Sequence, residues 1–285
     1  MATQLLFYES AVPVSAARHG NWSIEVGRDY SFSKKVNSVP LTAVEFPAAA
    51  LEYTIVFTGS ENAVLPAVIL GVTGPENLYV DAEGHWQAKY LPAFIRRYPF
   101  VFSSTDEGKS FMLCVDESFK GLNQEGRGQR LFDDQKKPTA YVDGMLKFLQ
   151  QYQVEFRRTR AFCTKLKELD LLEPVQAQVN LQSGGRMSLT GLMAVSRDRV
   201  KAQPGDKLAE LAKTGELELI YLHLQSMRNF SLMGRRVSEA LGLASPQQEP
   251  QTAPAAAPAE AGEPAPTEGK RAASEKERQG SYKKR

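Results

Sequence analysis

The chain is poor in the residue types that most often announce a chemistry: its 285 residues include two cysteines, Cys114 and Cys163, and three histidines, His19, His85 and His223. Two cysteines exclude a disulfide-stapled scaffold. Both sit among apolar neighbours, in Phe111-Met112-Leu113-Cys114-Val115 and Ala161-Phe162-Cys163, where reduced thiols packed as small hydrophobes are expected. A cytoplasmic, reducing location goes with that expectation. No two histidines stand at ligand spacing, so the HExxH, HxD and Cys-pair zinc patterns are missing, and neither a metal nor another cofactor is expected. Charge of one sign is not in excess: 35 Lys and Arg oppose 33 Asp and Glu, so net charge alone names no partner. Long hydrophobic runs are missing too. The uncharged stretch Asn62 to Pro75 falls short of the roughly 18–20 residues of a membrane span and holds Pro66, Gly71 and Gly74. The opening Met1-Ala2-Thr3-Gln4-Leu5-Leu6-Phe7-Tyr8-Glu9 lacks the positive start of an export signal.

Phosphate cradles and nucleophile elbows fail on detail. Gly121-Leu122-Asn123-Gln124-Glu125-Gly126-Arg127-Gly128 nearly spells a P-loop, but Arg127 and Gly128 stand where Lys and Ser or Thr are required. The following Gly126-Arg127-Gly128-Gln129-Arg130-Leu131 lacks the third glycine of a dinucleotide turn. A mobile surface loop is the expectation here, one that can still cover a ligand. There is no G-x-S-x-G elbow, and neither cysteine has an adjacent basic signature.

What is present reads as α+β: an antiparallel sheet or partly open barrel packed by a long amphipathic helix, then a C-terminal hairpin and two helices. Trp22, Ile24, Val26, Tyr30 and Phe32 recur at even spacing and suit one or two half-buried strands. Leu51–Gly59 and Ala63–Val72 are rich in β-branched and aromatic residues, with Pro66 expected at a strand start or edge. Asn77–Asp81 turns through Ala82 and Glu83 to Gly84-His85-Trp86. Tyr98–Phe102 pairs with Ser110–Asp116 through the turn Thr105–Lys109. After Pro138, the positions Val142, Met145, Leu149, Tyr152, Phe156, Cys163 and Leu166 form one apolar stripe, broken only by a seven-residue step across Thr159. Pro174 is expected to end that helix. A hairpin follows, Val175, Ala177, Val179 and Leu181 returning through Ser183-Gly184-Gly185 to Met187 and Leu189. Asp206 is expected to cap a short helix that stops at Gly215, before a last helix carrying Leu217, Ile220, Tyr221, Leu224 and Met227.

Domain organisation follows from composition. Residues 1–243 read as a globular domain and 244–285 as a disordered tail, because Pro246 to Pro266 holds no aromatic and no branched aliphatic residue. The tail ends in Lys270, Arg271, Lys276, Arg278, Lys283, Lys284 and Arg285, mixed with Glu275 and Glu277. So few screened charges favour a solubilising end over a nucleic-acid grip.

Several side chains are candidates for a site. Asp116 and Glu117 end an apolar strand, where a rigid scaffold can present a carboxylate for acid–base work, although strand ends are often merely solvated. Arg96 and Arg97, followed by Tyr98, could clamp a carboxylate or phosphate, against the plain alternative of surface ion pairs. Arg157, Arg158 and Arg160 spread around the helix instead of forming one stripe, which weakens a nucleic-acid reading. His223 is the leading acid–base candidate, with Tyr221 and Asn229 near the same end of its helix; the plain alternative is a buried imidazole bonded to backbone.

Tyr98-Pro99-Phe100, Leu113-Cys114-Val115-Asp116-Glu117, Leu131-Phe132-Asp133, Leu172-Glu173-Pro174 and Leu217-Glu218-Leu219-Ile220-Tyr221-Leu222-His223-Leu224, in this order, resemble the SapC family of bacterial proteins from about Phe7 to Arg236. The resemblance implies a link to a surface-layer gene cluster, to outer-membrane receptors and to halogenase-like flavoproteins encoded nearby, but no assigned reaction. It does not extend to the peptide-transporter permease of the same name. The expectation is therefore an accessory or binding protein, more an adaptor than an enzyme, contacting a protein or small ligand in a surface-layer or outer-membrane-uptake-linked system. One alternative is an enzyme with acid–base groups at His223 and Asp116 or Glu117. A second is a weak nucleic-acid binder through Arg157–Arg160 and the basic tail.

Overall fold

A computed structural model describes residues 6–59, 63–72, 76–104, 110–180 and 186–240. The turns expected at Thr105–Lys109 and Ser183-Gly184-Gly185, the boundary at 243/244 and the tail lie outside these residues. Along the chain the strands are β1 (Ala11–Pro13), β2 (Ser23–Ile24), β3 (Ser38–Pro40), β4 (Ile55–Thr58), β5 (Leu65–Ile69), β6 (Phe100–Ser103), β7 (Met112–Asp116), β8 (Leu122–Asn123), β9 (Gln129–Arg130), β10 (Leu172–Asn180) and β11 (Arg186–Val195). The helices are α1 (Ala16–His19), α2 (Phe46–Ala49), α3 (Ala93–Arg96), α4 (Ala140–Glu168), α5 (Arg197–Lys201), α6 (Gly205–Lys213), α7 (Glu216–Ser226) and α8 (Phe230–Ala240).

The strands form three antiparallel sheets, ordered β1-β7-β6, β10-β11-β4-β5-β3 and β8-β2-β9, with no closed barrel among the described residues. Pro66 stands near the start of β5, outside the three residues that pair with β3, so its missing N–H interrupts no bond on that side. The hairpin β10–β11 is not a separate appendage. Leu192 and Met193 of β11 pair with Thr58 and Phe57 of β4, which makes it the outer part of the five-stranded sheet.

Helix α4 joins the two main cores. Its 29 residues span about 43 Å at 1.5 Å per residue. Val142 and Leu149, in the first half, pack with Phe100, Phe102, Leu113, Val115 and Leu131. Tyr152, Phe162, Cys163 and Leu166 face the five-stranded sheet together with Ile220, Met233 and Val237 of the last helices. Each such buried side chain contributes about 1.5–3 kcal/mol. Thr159 accounts for the gap in the stripe: it is fully buried, its hydroxyl donating to Glu155 O at 2.7 Å and accepting Ala43 N–H at 2.8 Å. The hydroxyl thus occupies a stripe position without leaving a polar group unpaired.

Several expectations need correction. Pro174 does not end α4; the helix stops at Glu168, the chain turns through Asp170 at φ 49°, and Pro174 lies on the edge strand β10. Of the evenly spaced early residues only Ile24 is strand, in β2, and Phe32 belongs to a 3-10 turn. Asp206 lies in the first turn of α6, whose cap is Pro204. Gly215, at φ 78°, separates α6 from α7 as expected, but four helices follow the hairpin, not two, because α5 precedes this pair and α8 continues past a 3-10 turn at Met227–Asn229.

The glycine-rich segment also differs from the expectation of a mobile loop. β8 and β9 both pair with β2, and Asn123 locks the turn between them. Its Nδ2 donates to Gly121 O and Arg127 O, each at 3.1 Å, while its Oδ1 accepts Glu125 N–H at 3.1 Å and Arg127 N–H at 3.0 Å. A Cβ on Gly128, at φ +80°, would stand 2.2 Å from Ile24 O. The glycine is required by this backbone contact. The described residues all belong to one compact unit.

Candidate functional site

Two groups of candidate side chains stand apart, one at the end of strand β7 and one on helix α7 and the turn after it. The first gathers at the end of β7. Asp116 is buried, and its carboxylate accepts Glu9 N–H at 2.9 Å, Ser10 N–H at 3.0 Å, Ser118 N–H at 3.1 Å and the Ser118 hydroxyl at 2.7 Å. Burial alone would raise its pKa, but these four donors outweigh burial and hold the carboxyl below the ordinary range. Asp116 therefore stays ionised and pins residues 9–10 and 118 to the strand. Tyr98 approaches the same carboxylate; burial first, then the Asp116 charge, pushes its phenol up to about 12.

Glu117, the first residue past the strand, meets other partners. Arg18 grips it bidentately, with Nε–Oε1 and Nη2–Oε2 both at 2.5 Å, and His19 Nε2 lies 3.1 Å from Oε1. The Arg18 hydrogen bonds, opposed by a smaller burial effect, hold the Glu117 carboxyl below its usual value. His19 is fully buried, and its Nδ1 accepts Ser15 N–H at 3.2 Å, so Nε2 carries the proton donated to Glu117. Sequence reasoning missed Arg18 and His19. Almost a hundred residues separate them from Glu117, and no local pattern connects them.

Arg97 is buried with its guanidinium over Phe94 at 4.0 Å, Tyr152 at 5.2 Å and Tyr8 at 5.7 Å. This is a cation in an aromatic box. Arg96 is exposed and lies over Tyr90 and Phe148 at 5.9 and 5.5 Å. The two adjacent arginines thus point to different surroundings and do not form one clamp.

The second group lies on α7 and the turn after it. His223 is fully buried; its Nε2 accepts Val195 N–H at 3.0 Å and its Nδ1 lies 3.0 Å from Ile55 O, which fixes Nδ1 as the donor. Burial lowers its pKa to about 4, against a smaller opposing effect of the Ile55 carbonyl. One turn on, Ser226 Oγ accepts Ile55 N–H at 3.0 Å and donates to His223 O at 2.6 Å. Asn229 Nδ2 donates to Ala50 O at 2.8 Å and Tyr53 O at 2.9 Å. The i, i+3, i+6 spacing puts all three on one side of the helix, where they fasten α7 to the backbone leading into β4. That spacing is legible in the sequence; its target is not. Tyr221, by contrast, is exposed, with Arg197 at 5.9 Å from its ring centroid.

The structure does not bring His223 and the Asp116–Glu117 pair to one place: His223 bonds to β4 and β11, while Asp116 and Glu117 bond to the β1–β7 end. A recess of about 400 Å³ runs along the C-terminal half of α4, lined by Ala63, Val64, Arg160, Cys163, Thr164, Lys167 and Glu168. Burial pushes the Cys163 thiol up to about 12, so it offers no thiolate there at neutral pH. Arg160 lines this recess, whereas exposed Arg158 pairs with Glu155 at 3.0 Å, so the arginine cluster is divided. Among the described residues no three of His, Cys, Asp and Glu converge to hold a metal ion. No helix among them is long and apolar enough to cross a membrane.

These features define an α+β protein in which His223, Asp116 and Asn229 bind the protein's own backbone. The chain belongs to the SapC family, whose model matches residues 14–233. No curated protein and no solved structure matches it.

Proposed function

We propose that this SapC-family chain is a water-soluble, cytoplasmic accessory protein that works by contact with a partner in a surface-layer or outer-membrane-uptake-linked system, without a cofactor of its own. The observation that supports this reading is the employment of its acid–base candidates. Both nitrogens of His223 serve backbone groups, and the carboxylate of Asp116 serves four donors. General acid–base work requires a group that can reach a reacting atom; for His223 that means leaving two buried partners unsatisfied, at about 1–3 kcal/mol each.

The test is to incubate the purified full chain with a metabolite extract of the host and follow it by mass spectrometry, alongside in-cell cross-linking. A cross-linked partner with an unchanged extract supports the accessory role. Turnover of a metabolite by the chain alone overturns it.

A further inference from the structure

We draw no further inference here: the strongest candidate, the recess along the C-terminal half of α4 lined by Arg160, Cys163, Thr164 and Lys167, carries nothing, because both its cations already engage other groups of the protein and burial keeps its thiol protonated, so that nothing in the structure points to a ligand there.

Discussion

His223 sets a measurable pH dependence. In the folded chain the imidazole is buried and neutral with a pKa of about 4, while in the unfolded chain it returns to about 6.5. Between these values the unfolded state binds a proton that the folded state refuses, so stability falls as pH falls. The contribution is fully present above about pH 6.5 and is lost toward pH 4, at up to about 1.4 kcal/mol per pH unit. From about pH 7.5 to about pH 4.5 this amounts to roughly 2–3 kcal/mol. Asp116 and Glu117 have lowered pKa values, so their contributions are lost only at more acid pH, as it falls through those lowered values.

The assay is urea unfolding across this range for the wild type and His223→Gln. At neutral pH the variant should be less stable by roughly 1–3 kcal/mol, because the more flexible glutamine must be ordered for its amide to meet Val195 N–H and Ile55 O, and the ring packed against Phe57 is lost. On acidification the two curves should converge, since only the wild type carries the His223 proton linkage. Parallel curves, or an imidazole NMR titration with its midpoint near 6.5, would refute the reasoning.

Three further outcomes are expected. Asn229→Ala removes both bonds to Ala50 O and Tyr53 O and should cost about 2 kcal/mol in chemical unfolding, with hydrogen exchange rising first at the entry to β4. Asp116→Asn puts an NH2 group among four donors and should cost roughly 2–4 kcal/mol by thermal and urea unfolding; an unchanged midpoint would count against the carboxylate cradle. Gly126→Ala and Gly128→Ala share a positive φ, but only the second drives a Cβ into Ile24 O, so calorimetry should find the first costing about 1–2 kcal/mol and the second clearly more.

Legible in local pattern were the α+β class, the apolar face of α4, the strands around Ile55–Thr58 and Leu65–Ile69, and the family. These depend on periodicity, β-branched runs and ordered words, which are properties of neighbours in the chain. Thr159 marks the limit of that reading: it interrupts the stripe by composition yet belongs to it by burial, because its hydroxyl finds Glu155 O and Ala43 N–H. Tertiary structure alone decided what the polar candidates do. His223 meets residues 28 and 168 positions away, Asp116 meets residues more than a hundred positions away, and Glu117 meets His19 across 98. A hydrogen bond is set by a few tenths of an ångström between atoms that the chain brings together only after its sheets have paired, so local pattern identifies the donors and acceptors but not their partners.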